Sequence, residues 1–463
     1  MLPAVSKLLS PLKTEIRQFL KIALPLSAAY LAEFAMFITT KMVVGKLGYH
    51  QLAAVGIAGD LSFEILVVLM GLLSVIGVLA AQAEGAENKA GVGQSVRQGM
   101  IVATLLGIPA MIFIWNLGPV LSSTGQDPLV IEYAVPYLRA LSAMVLPVLW
   151  FAVFRNFIAA LAQPAAIMVI TVLAVFLNYL LTVWFVHGGF GLGAMGLFGA
   201  GLATSLVTWF MFISLTVFIY RKPYLRGYGI FQSSWHLHLP TCKEIMRLGI
   251  PVAGLTFLEA GLFAAVSILS GFISAESLAA YEVVGAWIGI PFVIALGMAE
   301  ATMVRVAYAA GRDKILDVRR AGHLGMTLGV GILTALIIVP LGFTDVIVQI
   351  FIHPSDPGYI EVSELATGFL MIAVIFQVFD GLQAIAARAL RGIKDNLAPL
   401  WIAGFGYWIL GIGGGSLLAF HYELGGVGLW WGLALGLSVT ASLLCWRFNR
   451  LTSRTLKATL AEQ

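Results

Sequence analysis

Charged residues are scarce in this chain of 463 residues. Asp, Glu, Lys and Arg make up 11% of it, whereas 60% of the residues are hydrophobic. A soluble globular domain has about a quarter charged residues, so the composition excludes an ordinary soluble protein. The two cysteines, Cys242 and Cys445, form no disulfide framework. The net charge of +4 fits cytoplasmic loops that face anionic lipid better than it fits nucleic-acid binding.

Several functional signatures are also missing from the sequence. The N-terminal MLPAVSKLLSPLKTEIRQFLK has no clean apolar core and no small-residue cleavage site. It therefore predicts a short amphipathic cytoplasmic helix rather than a cleaved signal. There is no phosphate-binding loop, nucleotide fingerprint or hydrolytic triad. We predict no ATP-driven or hydrolytic activity and no cofactor.

Long apolar runs dominate what is present. They are long enough to cross about 30 Å of hydrocarbon as helices, and too continuous for the strands of a membrane barrel. We predict an all-α membrane protein of twelve transmembrane helices in two related six-helix bundles. The spans are 19–44, 51–81, 99–119, 129–153, 165–187, 194–220, 245–270, 278–306, 323–344, 360–386, 397–419 and 425–446. The predicted domains are an N-terminal bundle at 1–220, a cytoplasmic linker loop at 221–243, and a C-terminal bundle at 244–463.

Basic residues set the predicted orientation. With the N-terminus inside, all but three of the 27 Lys and Arg residues fall in cytoplasmic segments, Arg155 among them. The exceptions are Lys41, Lys46 and Arg139. Both termini are therefore predicted to be cytoplasmic.

One apolar stretch occurs twice, from Leu24 and from Ile250. Pro25 and Pro251 are 226 positions apart, and the same offset takes Glu33 to Glu259 and Gly45 to Gly271. Apolar bias alone would not place a glutamate in a membrane helix twice, so we infer a duplicated half. Such a repeat is typical of secondary transporters, and halves with an even number of spans share one orientation.

Several motifs make a resemblance specific. They include MVVGKLG followed by LAAVG, NKAGVGQSVRQG after span two, MVRVAYAAG after span eight, FQVFDGLQAIAARALRGIKD across span ten, and LGGVGLWWGLALG in span twelve. In combination the chain resembles the multidrug and toxic-compound extrusion (MATE) family, in its bacterial NorM-like branch. The resemblance implies two six-helix bundles in a V shape, a central cavity, and export of organic cations in exchange for Na⁺ or H⁺.

Two acids lie deep in predicted spans, where an ionisable side chain indicates function. Asp380 lies in span ten, and Glu259 lies eight residues after Pro251 in span seven. The resemblance places the family's cation-binding acids at these two positions. Such a pair holds one Na⁺ or shares protons, because like charges resist joint ionisation. The alternative for Asp380 is a structural hydrogen bond to a neighbouring helix.

The N-terminal half departs from the family pattern. The resemblance implies acids at two positions where this chain has threonine. These are Thr40 and Thr182, and Thr182 lies four residues after Asn178. Their absence weakens any proton relay in this half, favours coupling through the C-terminal pair, and favours Na⁺ slightly over H⁺.

Glu33 and Lys41 are eight residues apart on roughly one helix face. Either they pair, or Lys41 snorkels to the outer surface. A fixed ammonium here would oppose cation binding. We interpret four residues as a possible N-lobe polar site: Glu33, Thr40, Lys41 and Asn178.

Other ionisable residues have weaker claims. Asp60 and Glu64 share one face of span two and are either part of a site or solvated. Three more are interpreted as structural ion partners or snorkelling groups: Glu300, Arg305 and Arg139. His236 and His238 form a metal pair only if a third ligand exists, so a solvated loop is the better interpretation.

Aromatic residues in spans are candidates for a cavity that binds lipophilic cations through cation–π contacts. The candidates are Phe376, Phe379, Trp287 and Trp150. The alternative is that they serve core packing or the interfacial belt.

Together these features predict a monomeric antiporter of the bacterial inner membrane that exports organic cations and toxic amphipathic compounds. Its partners would be a small molecule, a coupling ion and the bilayer. A lipid-linked saccharide flippase would need a cavity ringed with Arg or Lys, for which only Lys41 and Arg139 are candidates. A membrane-embedded prenyl transferase would need clustered aspartates, which the cytoplasmic loops lack. A degenerate, non-transporting scaffold is the remaining alternative.

Overall fold

The computed structural model describes residues 2–123, 127–189, 191–232, 235–351 and 358–461, which are almost entirely helical. The N-terminal helices are α1 (Leu2–Gly45), α2 (Tyr49–Leu73), α3 (Val75–Gly85), α4 (Lys89–Trp115), α5 (Gly118–Ser123), α6 (Pro128–Ser142), α7 (Val145–Ala160), α8 (Ala165–His187), α9 (Gly196–Arg221) and α10 (Pro223–Arg226). They are followed by α11 (Leu239–Ile273), α12 (Ala275–Gly311), α13 (Ile315–Leu336), α14 (Ile338–Phe351), α15 (Tyr359–Gly392), α16 (Leu397–Ala403), α17 (Gly414–Ser416) and α18 (Gly425–Ala461). Gly404–Gly413 and Leu417–His421 form π-helical turns around α17.

The predicted membrane spans correspond to helices in the same order. In the described residues, 11 helices are long and apolar enough to cross a membrane, or 12 if a bent pair forms one span. The pair is α6 and α7, which meet at 45°. Pro147 has no N–H to donate to the carbonyl of Ala143, so the helix breaks there. An all-α membrane fold is confirmed.

One basic residue predicted in a cytoplasmic loop lies inside a helix. Predicted span four ends at 153, which left Arg155 in a cytoplasmic loop, but α7 continues to Ala160. Arg155 lies inside this helix with only 8% of its surface exposed. An apolar-run count stops at a charge, whereas a helix continues as long as its backbone bonds are made and the charge has a partner.

The helices pack into two compact units. The N unit is Ala28–Ala253, and the C unit combines Met1–Ser27 with Gly254–Gln463. The two boundaries are separated by 226 residues, the offset between Pro25 and Pro251. The boundaries drawn from the sequence follow the polar loop at 221–243 instead, and that loop lies within the N unit.

Backbone conformation repeats along with the sequence. Glu87 after α3 and Asp313 after α12 have φ of 57° and 55°, and they differ by the same offset of 226. Ala162 after α7 and Lys394 after α15 have φ of 56° and 62°. Left-handed residues other than glycine are uncommon, and here each one follows the end of a helix. The repeat therefore extends to the backbone turns that follow these helices.

The loop between α9 and α11 packs on α4. A Cβ on Gly93 would overlap the carbonyl oxygen of Tyr228, so only glycine permits this approach. Gln98 donates to the carbonyl of His236 at 2.8 Å and accepts from the backbone N–H of His238 at 2.9 Å. Both imidazoles are exposed. No group of three His, Cys, Asp or Glu side chains that could hold a metal occurs among the described residues.

Candidate functional site

The two acids predicted in the C-terminal half meet at a shared glutamine. Asp380 and Gln383 lie on one face of α15, and Glu259 faces them from α11. Gln383 Nε2 donates to Glu259 Oε1 at 3.0 Å and lies 3.5 Å from Asp380 Oδ1. Asp380 and Gln383 are 4% and 2% exposed. The fold therefore joins two carboxylates from helices that are over one hundred residues apart in the chain.

Tyr407 forms a hydrogen bond with the oxygen of the Gln383 amide. Its hydroxyl donates to Gln383 Oε1 at 2.8 Å, and its side chain is fully buried. Tyr407 lies in the π-helical turn Gly404–Gly413, and such turns are frequent at functional sites. The neighbouring Gly406 packs so closely on α18 that a Cβ would overlap Thr440 Oγ1. This close contact fixes the position from which Tyr407 reaches the site.

Tight packing also holds α15 beside α13. A Cβ on Gly381 would overlap Leu333 Cδ1 and lie 3.1 Å from the Cβ of Ala295. Gln377, one turn before Asp380, donates to the carbonyl of Leu333 at 3.3 Å. Its buried Oε1 has no hydrogen-bond partner among the described residues. The segment thus places a third hard oxygen one helical turn from the acid pair.

Positive charge lies at the next turns of α15. Arg388 Nε donates to Glu300 Oε1 at 3.1 Å, so Glu300 is an ion partner as predicted. Arg388 and Arg391 both attract the charge of Glu259. Positive charge therefore lies near Glu259, and one of the two arginines is already paired with Glu300.

The N unit places a different partner on the repeated glutamate. Arg155 Nη1 lies 2.9 Å from Glu33 Oε1, and its guanidinium is also 5.0 Å from the ring of Tyr30. Lys41 pairs with Asp60 at 3.0 Å instead. Of the two alternatives for Lys41, the pairing with Glu33 is therefore wrong. Eight helical residues span about 12 Å along the axis, which is too far for a direct contact.

Thr40 and Asn178 form the polar contact between α1 and α8. Thr40 Oγ1 donates to Asn178 Oδ1 at 3.2 Å, and Thr39 Oγ1 lies 3.5 Å from the same oxygen. Thr40, Asn178 and Thr182 are all buried. Hydroxyl groups thus occupy the two positions, Thr40 and Thr182, where the resemblance implied acids.

All four residues of the predicted N-lobe polar site line one cavity inside the N unit. Its water-accessible interior is about 170 Å³. The other lining side chains are mostly apolar and include four methionines, Met36, Met70, Met144 and Met211, with Phe37, Phe63 and Phe151. Methionine and aromatic side chains adapt to apolar ligands of varied shape. The sequence predicted these polar residues but not that they share a cavity.

The aromatic candidates for a substrate cavity lie elsewhere in the described structure. Phe376 is fully buried, with its ring 5.7 Å from Trp430 and 6.2 Å from Phe263. Trp150 donates to Thr104 Oγ1 at 2.9 Å and packs on Phe212. Phe376 is a core residue, and Trp150 belongs to an aromatic cluster.

Phe379 and Trp287 are each partly exposed. Neither is among the described side chains that line the N-unit cavity. Their role as substrate contacts stays a prediction.

Three residues of these sites were missed from the sequence: Gln383, Tyr407 and Arg155. Gln383 has a weak signal, because a glutamine in an apolar span needs a partner and lies one turn from Asp380. Arg155 was available as a charge inside FAVFRNF. Tyr407 had no signal, since its contact depends on the π-helical turn.

Two stretches of the chain match the model of the MatE family, residues 25–184 and 251–416. They begin at the repeated prolines Pro25 and Pro251. The family pattern is therefore matched once in each half.

Individual proteins match over nearly the whole chain. A relative from Mesorhizobium japonicum named "Probable multidrug resistance protein NorM" is 36% identical over 440 residues, covering 95% of this chain and 94% of the relative. One from Synechococcus sp. with the same name is 34% identical over 457 residues and covers 98% of both chains. The crystal structure of the eukaryotic MATE transporter AtDTX14 superposes with a TM-score of 0.85 at 22% identity, covering 96% of this chain and 99% of that one. This last match shows a common fold.

Proposed function

Because the chain belongs to the MatE family of membrane transporters, we propose that it is an ion-driven exporter of organic cations and toxic amphipathic compounds. Its similarity to proteins named for multidrug resistance supports this substrate class. The observation that carries the proposal is the pair Glu259 and Asp380, joined through Gln383 inside the membrane-spanning helices. A transporter family has no need of a catalytic centre, so the pair is interpreted as a binding site.

The acid pair is suited to a coupling cation. Carboxylates and the buried Gln377 oxygen one turn away are hard ligands, which fit a small cation such as Na⁺. A cation drives export only if it binds the two transport conformations with different affinity. We favour Na⁺ over H⁺, because Thr40 and Thr182 stand where N-lobe acids would be expected.

The N-unit cavity is proposed to hold the transported compound. Its methionines and phenylalanines would cover an apolar body, and Thr40 and Asn178 offer polar anchors. Arg155 and Lys41 also line the cavity, but each is paired with an acid. This pairing does not favour a flippase for a saccharide pyrophosphate, which would need cationic groups left to hold the phosphates.

The membrane setting is proposed on the same basis as in the sequence. The exporter would lie in the bacterial inner membrane as a monomer with both termini in the cytoplasm, an orientation that the distribution of Lys and Arg supports. It would need no cofactor beyond the coupling ion and no nucleic-acid partner.

The test is efflux of a fluorescent lipophilic cation from proteoliposomes that contain the purified full-length chain. Imposed Na⁺ and pH gradients are compared for wild type, Asp380→Asn and the control Glu282→Gln. Glu282 is an exposed acid of the same unit that accepts a hydrogen bond from Ser267. We expect a Na⁺ gradient to accelerate efflux by wild type and Glu282→Gln but not by Asp380→Asn.

Each outcome decides a different part of the proposal. Acceleration by a pH gradient alone keeps the exporter and replaces its ion. Equal response of Asp380→Asn and wild type removes the acid pair from coupling. No gradient-driven efflux by folded wild-type protein overturns drug export and leaves the scaffold interpretation.

A further inference from the structure

We infer that Gln383 determines the affinity of the acid pair for its cation, because its amide nitrogen lies where a bridging ion must bind. This inference rests on the proposed coupling role of Glu259 and Asp380. Gln383 acts as an internal occupant of the site, and Tyr407 fixes its orientation.

The amide nitrogen of Gln383 contacts both acids. Gln383 Nε2 is 3.0 Å from an oxygen of Glu259 and 3.5 Å from an oxygen of Asp380. Ionised carboxylates only accept hydrogen bonds, and an amide nitrogen carries two hydrogens. The NH₂ group therefore contacts both acids from the point between them. A small cation that bridges the same two oxygens needs that point too.

Tyr407 fixes the orientation of the Gln383 amide. Tyr407 donates its hydroxyl hydrogen to Gln383 Oε1 at 2.8 Å. When both acids are ionised, turning the amide over would place its oxygen, an acceptor, against two carboxylates that also only accept. The hydrogen-bond polarity of the chain from Tyr407 through Gln383 to the acids therefore runs in one direction.

A cation must displace the amide in order to enter the site. It must move the amide nitrogen away, and the Gln383 oxygen becomes a ligand only if its bond from Tyr407 breaks. The Gln383 amide thereby stabilises the ion-free site and lowers the net affinity for Na⁺. The other charged groups near the pair are Arg388, which is held by Glu300, and Arg391. They keep their charge in both states and do not substitute for the amide.

Two opposite effects on binding and turnover follow. Without the amide, Na⁺ no longer competes with Gln383 for the acids. We therefore expect the half-saturating Na⁺ concentration to fall about tenfold in Gln383→Ala, the factor expected for hydrogen bonds to charged groups. The ion-free acids then lack their internal partner, so the maximal rate of ion-driven efflux falls as well. Tyr407→Phe loosens the amide without removing it and should shift both quantities in the same directions, by less.

The experiment is a ²²Na⁺ binding titration of the purified full chain in detergent, paired with Na⁺-driven efflux from proteoliposomes. Wild type, Gln383→Ala and Tyr407→Phe are compared with Gln98→Ala, which removes another buried glutamine that makes three hydrogen bonds. Thermal melting establishes that each variant is folded. If Gln383→Ala does not fold, Tyr407→Phe carries the test alone.

Higher Na⁺ affinity with slower efflux in the Gln383 and Tyr407 variants, and unchanged affinity in Gln98→Ala, supports the inference. Unchanged or weaker affinity in folded Gln383→Ala or Tyr407→Phe overturns it, while Na⁺-driven efflux by wild type leaves the proposed function intact. Absence of Na⁺ binding by wild type overturns the inference and the choice of Na⁺ together. Export itself is then judged by the pH-gradient arm of the efflux assay.

Discussion

Glu33 and Arg155 form an ion pair with 2.9 Å between Oε1 and Nη1, although 122 residues separate them in the chain. The repeat partner of Glu33 is Glu259, which accepts instead from the neutral amide of Gln383 at 3.0 Å. A guanidinium stays charged throughout the physiological pH range and is tethered to its helix. The duplicated glutamates have therefore diverged: one is neutralised by a fixed cation of the protein, and the other accepts a hydrogen bond from a neutral amide.

Breaking the Glu33–Arg155 pair should destabilise the N unit. Arg155→Gln leaves a carboxylate without its counter-charge in a membrane helix, and losing one partner of a fully buried pair costs about 3–5 kcal/mol. The side chains of Arg155 and Glu33 are 10% and 28% exposed, so the pair is not fully buried. We therefore expect a loss of stability of about 1–3 kcal/mol, measured as a lower melting temperature in detergent. The double variant Glu33→Gln with Arg155→Gln should recover part of the loss.

The matched control for this prediction is the other ion pair at the cavity. Lys41 and Asp60 are 32% and 55% exposed, so Lys41→Gln should cost less than about 1 kcal/mol. A loss in Arg155→Gln no greater than that in Lys41→Gln would show that burial of the pair has no energetic weight.

Neutralising the repeated glutamates one at a time should separate their roles. Glu259→Gln keeps an oxygen that accepts from Gln383 but removes the charge, so we expect at least a tenfold loss of ion-driven efflux with binding of the fluorescent cation retained. Glu33→Gln should keep its response to the gradient per folded molecule, because Arg155 already neutralises this acid. Both are measured in proteoliposomes, and equal loss in the two variants would contradict the assignment.

A methyl group on Gly381 should disturb the site from one residue away. Gly381→Ala would drive its Cβ into Leu333 Cδ1 and close to Ala295, and overpacking of this kind costs about 1–3 kcal/mol. We expect a lower melting temperature and weaker ion-driven efflux, both partly restored by adding Leu333→Ala. Gly368→Ala is the control on the same helix, since no atom lies within 4 Å of its added Cβ. If Leu333→Ala gives no recovery, the clash is not the cause.

Filling the N-unit cavity should reduce export without unfolding the protein. Met211 of α9 lines the cavity, whereas Ile213 on the same helix is 52% exposed on the outer surface. Met211→Trp should therefore lower the binding and efflux of a bulky lipophilic cation, and Ile213→Trp should leave both unchanged. Thermal melting of each tryptophan variant gives its folded fraction. Normal efflux by folded Met211→Trp would place the compound outside this cavity.

Much of the fold was predictable because it depends on local and periodic features. Apolar length fixes which segments become spanning helices, and the helices appear in the predicted order. The repeat of Pro25 at Pro251 also anticipated the two unit boundaries, which lie two residues after each proline. A bend such as that before Pro147 follows from one missing N–H group.

The candidate site was predictable only where a residue is anomalous by itself. Asp380 and Glu259 are acids in apolar helices, and the family resemblance distinguished them from the other acids in such helices. The partner of an ionisable residue cannot be predicted in this way. Lys41 is near Glu33 in the chain, but Glu33 pairs with Arg155. The choice depends on how α1 packs against α7, which no period in either helix encodes.

The sequence by itself determined the membrane class, the twelve spans, the duplication and the two acids, since each depends on apolar length, repetition or the cost of a charge in a helix. Tertiary structure alone decided what each acid contacts. Gln383 reaches Glu259 because α15 and α11 approach closely, and Tyr407 reaches Gln383 because a π-helical turn directs its side chain there. Hydrogen bonds act over about 3 Å, so these residues interact only once the helices that carry them are packed together.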